Sequence, residues 1–285
     1  MNDCFGRSTR RSGFRLVSLS ALAACLALSA ANGQIVSLHD GNSDATIDLG
    51  SQAGMSAWRI NGQNQLNQQW FWYRVDGDPT GQHSIDTIGG LSFANNANSL
   101  SANYNTVAFG LSLTYQLSGG LAGGSDWTSD IGESITIFNH TTSPLSFHFF
   151  QYSDFRLAGS IGGETATIYQ SGGFFSKAKV IKGANQVSET VDQPLADHAE
   201  ADLTYNTLSR LNQGSPYTLN DNLSAGPDPG ADATWALEWD FTIGANSSVD
   251  VLKDKRLSVT PIPEPGVAAL ALVGLAGLAF RRNRR

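Results

Sequence analysis

A chain of 285 residues is long enough to bury one large core, and its formal net charge of −7 at pH 7 argues against nucleic acid or an anionic membrane face as a principal partner. Its two cysteines, Cys4 and Cys25, lie near the N-terminus, so the rest of the chain holds neither a disulfide nor a thiol nucleophile. The basic residues concentrate at the two ends, in Arg7, Arg10, Arg11 and Arg15 and in Arg281, Arg282, Arg284 and Arg285, which leaves the interior acidic.

Residues 1–33 read as a cleaved signal peptide: four arginines, an apolar run from Leu16 to Leu28, then Ser29, Ala30 and Ala31 as a small-residue cleavage site. The run is too short to cross a hydrocarbon core of about 30 Å. Leu22-Ala23-Ala24-Cys25 also has the order of a lipoprotein box, and Thr9-Arg10-Arg11 with Phe14 that of a twin-arginine signal. The apolar run continues past Cys25 to Leu28, which favours the ordinary signal.

Residues 34–260 read as an exported β domain. Short runs rich in Ile, Val, Thr and aromatics recur between Gly, Asn, Asp and Ser clusters, and no window holds a convincing helical period. The expected strands are 57–60, 70–75, 107–117, 134–139, 145–155, 165–169, 174–181 and 233–243. Their spacing predicts an all-β, antiparallel β-sandwich. The stretch 133–155 reads as a hairpin, with 139–143 as its turn and Pro144 at the entrance of the second strand. Over 233–243 the residues Trp235, Leu237, Trp239, Phe241 and Ile243 share a core face, and Glu238 and Asp240 share the opposite, solvent face. Residues 94–101 and 220–232 are expected as loops, and short helices over 196–203 or 204–211.

The chemical candidates each have a plainer explanation. Trp70-Phe71-Trp72-Tyr73 can be a sugar-stacking platform, but alternation also fits a strand buried on both sides. Glu238 and Asp240 supply the two acids a glycosidase needs, yet lie two apart on a single strand. Asp40-Gly41-Asn42-Ser43-Asp44 and Asp76-Gly77-Asp78-Pro79-Thr80-Gly81 place oxygen ligands at alternate positions. Ser51 and Thr87 stand where a calcium loop carries its acidic twelfth residue, so they read as turns with Ca²⁺ only as a lesser reading. His39, His83, His140, His148 and His198 show no close metal-ligand spacing, and there is no Gly-x-Ser-x-Gly elbow and no phosphate-binding glycine loop. The expectation is therefore no cofactor, no metal and no catalytic residue.

The C-terminus departs from the rest. Pro263-Glu264-Pro265 precedes an apolar run from Val267 to Phe280, and Arg281, Arg282, Arg284 and Arg285 close the chain. The three parts in this order resemble the PEP-CTERM sorting signal of bacterial exported proteins. That resemblance implies that residues 261–285 are a sorting segment with one hydrophobic helix. Pro263, Glu264 and Pro265 would be its motif, cut by an exosortase-type processing enzyme, and the four arginines would hold it at the inner membrane. It further implies transient membrane contact, extracellular polysaccharide as partner, and a place at the cell surface or in the extracellular matrix. The function expected on this basis is a non-enzymatic surface or matrix protein associated with exopolysaccharide and biofilm. The alternatives are a carbohydrate-binding module, which solvent exposure of Trp70, Trp72 or Trp127 would favour, and a secreted glycan-active enzyme, which a cleft with two facing carboxylates would favour.

Overall fold

The computed structural model describes residues 34–125 and 127–260. The expected signal over 1–33 and the sorting segment over 261–285, with Pro263, Glu264, Pro265, Arg281, Arg282, Arg284 and Arg285, lie outside the described residues. Among the described residues no helix is long and apolar enough to cross a membrane, and the hydrophobic helix expected over 267–280 falls outside them.

The fold is all-β. One sheet runs Ile35–Asp40, Ser43–Asp48, Gly54–Ile60, Leu66–Val75, Leu145–Phe155, Ala233–Ile243 and His198–Leu203. The other runs Ser224–Ala225, Thr165–Ser171, Phe174–Lys182, Asn185–Gln193, Ser248–Ser258, Thr128–Asn139, Phe109–Gly119, Ser99–Asn105 and Ser92–Asn95. Pairing is antiparallel except for a brief parallel contact between Gly54–Ile60 and Leu66–Val75. The sheets pack face to face around aromatic side chains. Phe71 stacks on Phe149 at 5.4 Å and Phe155 on Trp235 at 5.2 Å between ring centres. At the first sheet's edge of this core, the Trp58 indole donates across to Ser129 Oγ at 2.9 Å.

The alternation in Ala233–Ile243 is as expected on its core side, where Trp235, Leu237 and Trp239 are fully buried. The tetrad at 70–73 is core: Trp70, Phe71 and Trp72 are fully buried, on both faces of their strand. Phe71 faces the other sheet, while Trp70 and Trp72 lie on the outer face under two covering segments, the turn Ile85–Thr87 and the end of helix Asn206–Leu211. The Trp72 indole reaches Asn212 Oδ1 and the Trp70 indole Asp86 Oδ1, both at 3.2 Å. Gly54 makes room for Trp70: its φ is +55°, and a Cβ there would meet the indole at 2.3 Å.

Several local expectations are corrected. The 133–155 stretch is not a hairpin, because its two strands lie in different sheets. Thr128–Asn139 has both edges taken, by Phe109–Gly119 and Ser248–Ser258, and Leu145–Phe155 by Leu66–Val75 and Ala233–Ile243. A polar turn and a proline report a reversal, not which partner the next strand finds. Asn139 secures the crossover by donating to Ser143 O at 2.8 Å and Ile243 O at 3.0 Å. The expected loop at 94–101 is itself a pair of strands, Ser92–Asn95 on Ser99–Asn105. Of the two helix candidates, 196–203 holds the edge strand His198–Leu203 and 204–211 holds the helix Asn206–Leu211.

The least anticipated feature is ionic and lies between the sheets. Glu133, Glu189, Lys253 and Lys255 all point inward from neighbouring strands and are at most 3% exposed. Lys255 Nζ lies 2.5 Å from Glu133 Oε1 and 3.5 Å from Glu189 Oε1, and Lys253 Nζ lies 3.2 Å from Glu189 Oε1 and contacts Glu133 Oε2 directly. From the opposite sheet, the Gln151 amide and the Trp235 indole donate to Glu189 Oε2 at 2.6 and 2.8 Å. Burial opposes ionisation of Glu189, and the two lysines overcome it, holding its carboxyl below the usual range. Removing one cation strands a buried charge, which typically costs about 3–5 kcal/mol. Lys253→Met should therefore lower stability by roughly that amount in urea unfolding, and adding Glu133→Gln to restore neutrality should recover part of the loss. A single variant as stable as the parent would show that the network does not hold the sheets.

Candidate functional site

On the outer face of the first sheet, antiparallel register sets His148 opposite Asp240, Phe150 opposite Glu238, and His198 opposite Glu238 on the next strand. Side chains that alternate in sequence thus meet across three strands. His148 Nδ1 lies 2.5 Å from Asp240 Oδ1 and 3.6 Å from Glu238 Oε1, while its Nε2 lies 2.9 Å from Asp76 Oδ1. His198 approaches from the side, 3.2 Å from Asp221 and 3.8 Å from Asp240.

The expected solvent face of Ala233–Ile243 is corrected here. Asp240 is 38% exposed, but Glu238 is fully buried. The segment after helix Asn206–Leu211 covers it, and the backbone N–H of Leu219 donates to Glu238 Oε2 at 2.8 Å. The same cover is tied to Glu200 by Arg210, by the Tyr217 hydroxyl and by the Asn220 N–H. Charge in the cluster is strongly redistributed. The Asp240 hydrogen bond, with Glu238 behind it and against the effect of burial, lifts His148 to about 10. Burial pushes Glu238 up. Burial also opposes ionisation of Asp240, but His148 prevails and holds its carboxyl below the usual range.

Beside Asp240 a cleft of about 350 Å³ opens, lined by Phe174, Pro194, Leu195, Asp197, Asp240 and Phe241. Phe174 is 47% exposed. Asp197 closes the unpaired edge of Ala233–Ile243 by accepting the Asp240 N–H at 2.8 Å. The aromatic wall is thus not the one the sequence suggested, since Trp70 and Trp72 are buried and Trp127 packs partly buried against the core. The two acid-rich loops behave as turns: Asp40 accepts from Gly119 N, Asp44 pairs with His39, and Asp78 holds Thr80 and His83. Asp76 alone leaves its loop to meet the cluster. Among the described residues, His148, Glu238 and Asp240 are a trio whose ligand atoms all lie within 4.8 Å of one another. The sequence reading missed it because residues 76, 148, 198 and 238–240 are far apart in the chain, and only strand register unites them.

No family model and no curated protein matches the chain. Among solved structures, a galactose mutarotase-related enzyme from Lactobacillus acidophilus matches 79% of this chain and 98% of its own, at 8% identity and a TM-score of 0.53. A bacterial glucoamylase complexed with acarbose matches 85% of this chain and 36% of its own, at 8% identity and a TM-score of 0.54. The shared property is the fold, and it is one that carbohydrate-active enzymes carry. That finding overturns the expectation of a non-enzymatic matrix protein and, with it, the expectation that the chain is not an enzyme.

A second concentration of buried acids lies at the other end of the same face. Asp232 receives Gly162 N at 2.6 Å and Arg156 Nε at 3.1 Å, and Glu164 receives Lys182 at 2.9 Å. Among the described residues Asp154 accepts a hydrogen bond from Asn67 at 2.9 Å, and its other oxygen has no hydrogen-bond partner. Burial above all, with Asp232 nearby, pushes its carboxyl up to about 7. A folded-state value above the unfolded one means that stability is greatest below about pH 4 for this group and is lost as pH rises through about 7. Asp154→Asn keeps an acceptor for Asn67 and should remove that loss, which is on the order of 4 kcal/mol. Denaturation midpoints at pH 5 and pH 8 should draw together in the variant; an unchanged difference would assign the pH dependence elsewhere.

Proposed function

We propose that the protein is a carbohydrate-active domain whose sugar site is the cleft walled by Phe174, Pro194, Leu195 and Phe241, with Asp197 and Asp240 as its polar groups. The observation that carries this reading is the pairing of two aromatic rings with two carboxylates in one cleft. A sugar presents C–H faces that lie against rings and hydroxyls that donate to carboxylate oxygens, and the volume falls within the ~300–1,000 Å³ typical of small-molecule sites. A fold shared with a galactose mutarotase-related enzyme and a glucoamylase supports the same substrate class. Asp240, fixed by His148 on one oxygen, is the residue placed to accept a hydrogen bond from a sugar hydroxyl and, in a reaction at the anomeric carbon, its proton.

Saturation-transfer NMR against a panel of monosaccharides and short glycans tests binding, and anomer exchange followed in the same spectra tests turnover. Phe174→Ala should weaken binding about tenfold, or ~1.4 kcal/mol. Asp240→Asn should slow any accelerated exchange by roughly 10²–10⁴ while the fold is kept. Wild-type protein with neither saturable binding nor acceleration would remove the reading.

We further propose, on the sequence pattern alone, that the chain is exported and processed near Pro263-Glu264-Pro265 by an exosortase-type enzyme. Extracellular polysaccharide is then the natural source of its sugar. Mass spectrometry of the protein from its native host should find a C-terminus upstream of Val267, and a surface form ending at Arg285 would overturn the sorting proposal.

A further inference from the structure

We propose that His148, Glu238 and Asp240 form a binding site for one divalent metal ion of the class that accepts mixed imidazole and carboxylate ligands, with zinc as its representative. Nothing in this inference requires the sugar reading, because it rests on the ligand atoms themselves.

The first observation is the orientation of the imidazole. Asp76 Oδ1 lies 2.9 Å from His148 Nε2 and takes the proton on that side, which turns Nδ1 toward the two other carboxylates. A carboxylate that holds the far nitrogen of a ligating histidine is the usual outer-shell arrangement of a metal site. Nδ1 then lies 2.5 Å from Asp240 Oδ1 and 3.6 Å from Glu238 Oε1. Bonds of about 2.0–2.2 Å to nitrogen and oxygen place two ligands of one ion at most ~4.3 Å apart. From within 4.8 Å the trio would have to close by a few tenths of an ångström, and the 2.5 Å His148–Asp240 contact would have to open as the ion displaces the Nδ1 proton to solvent.

The second observation is independent of the first and concerns Glu238. Its side chain is fully buried, its Oε2 accepts the Leu219 N–H at 2.8 Å, and its Oε1 has no hydrogen-bond partner among the described residues. The 3.6 Å approach to His148 is an ion-pair contact, too long for a hydrogen bond. A desolvated carboxylate oxygen held by an ion-pair contact but by no hydrogen bond is costly, and this one lies within 4.8 Å of the ligand atoms of His148 and Asp240. A cation among these atoms would satisfy it.

The ligand types select among ions. An imidazole with two carboxylates suits zinc and its transition-metal neighbours better than Ca²⁺ or Mg²⁺, which prefer oxygen-only sites. Around the trio, the carboxylates Asp76, Asp197 and Asp221 outnumber the one guanidinium, Arg74, and the imidazole of His198. The negative balance favours a divalent cation. Asp240 is 38% exposed, so the ion is reached from the cleft side, where a water or a sugar oxygen would complete its coordination.

The test is calorimetric titration of the chelator-treated full chain with Zn²⁺, and separately with Ca²⁺, alongside NMR of the histidine side chains. The expected result is one equivalent of Zn²⁺ bound, with the His148 ring resonances shifted and Ca²⁺ binding at least tenfold weaker. His148→Gln and Glu238→Gln should each lower Zn²⁺ affinity a hundredfold or more, and Asp76→Asn about 10–100-fold. His39→Gln, at a remote exposed His–Asp pair, should leave it unchanged. Asp240→Asn, at a partly exposed position, keeps the test valid if the buried variants do not fold. Phe174→Ala should impair sugar binding without affecting Zn²⁺, so the two readings fail separately. Absence of stoichiometric Zn²⁺ binding, or binding that survives both His148→Gln and Asp240→Asn, would overturn the site.

Discussion

Four buried charges set the relation between the two sheets. Each of Glu133, Glu189, Lys253 and Lys255 would be prohibitively costly alone in that interior, and together they are tolerable only at one strand register. The register places Glu133 opposite Lys253 and Glu189 opposite Lys255. A slip of one residue in Ser248–Ser258 would turn both lysines to the outer face and leave the glutamates unpaired among aromatic rings. Because Gln151 and Trp235 from the opposite sheet complete the network, it also constrains Leu145–Phe155 and Ala233–Ile243. Those are the strands whose other faces carry His148, Glu238 and Asp240. The interior of the sandwich thus fixes the placement of the outer-face cluster.

How much of this was legible in the sequence depends on whether the deciding interaction is local. Alternation in 233–243 and 145–155 identified two central strands with their full bounds, since apolar side chains at every second position have one physical meaning. The segment 248–258 was missed because Lys253 and Lys255 occupy inward positions, so its period of two is broken where hydropathy would reveal it. The turn at 139–143 was read correctly as a reversal and wrongly as a hairpin, because pairing is settled by which strand edges are already occupied. The placement of Glu238 failed for a related reason. Its strand pattern says only that it faces away from the tryptophans, and whether that side meets water depends on the segment that follows helix Asn206–Leu211.

The cover, built from the segment around that helix and from the turn Ile85–Thr87, also explains why the site is small. The outer face of a wide sheet could present a broad groove, but here Trp70 and Trp72 are sealed by Asp86 and Asn212, and Glu200 is enclosed by Arg210 and Tyr217. Beside the cluster the face stays accessible where the pairing of His198–Leu203 stops and Asp197 takes over the edge of Ala233–Ile243.

Glu238 joins the cover to the site. One of its oxygens is held by the Leu219 N–H of the covering segment, and the other is left facing His148 and Asp240. The cover excludes water from the carboxylate and, through the Leu219 N–H, also sets its direction. The apolar wall of the cleft comes from Phe174, Pro194 and Leu195 and from Phe241, on the same strand as Glu238. The cleft and the cluster meet at Asp240, whose carboxylate touches His148 while lining the cleft.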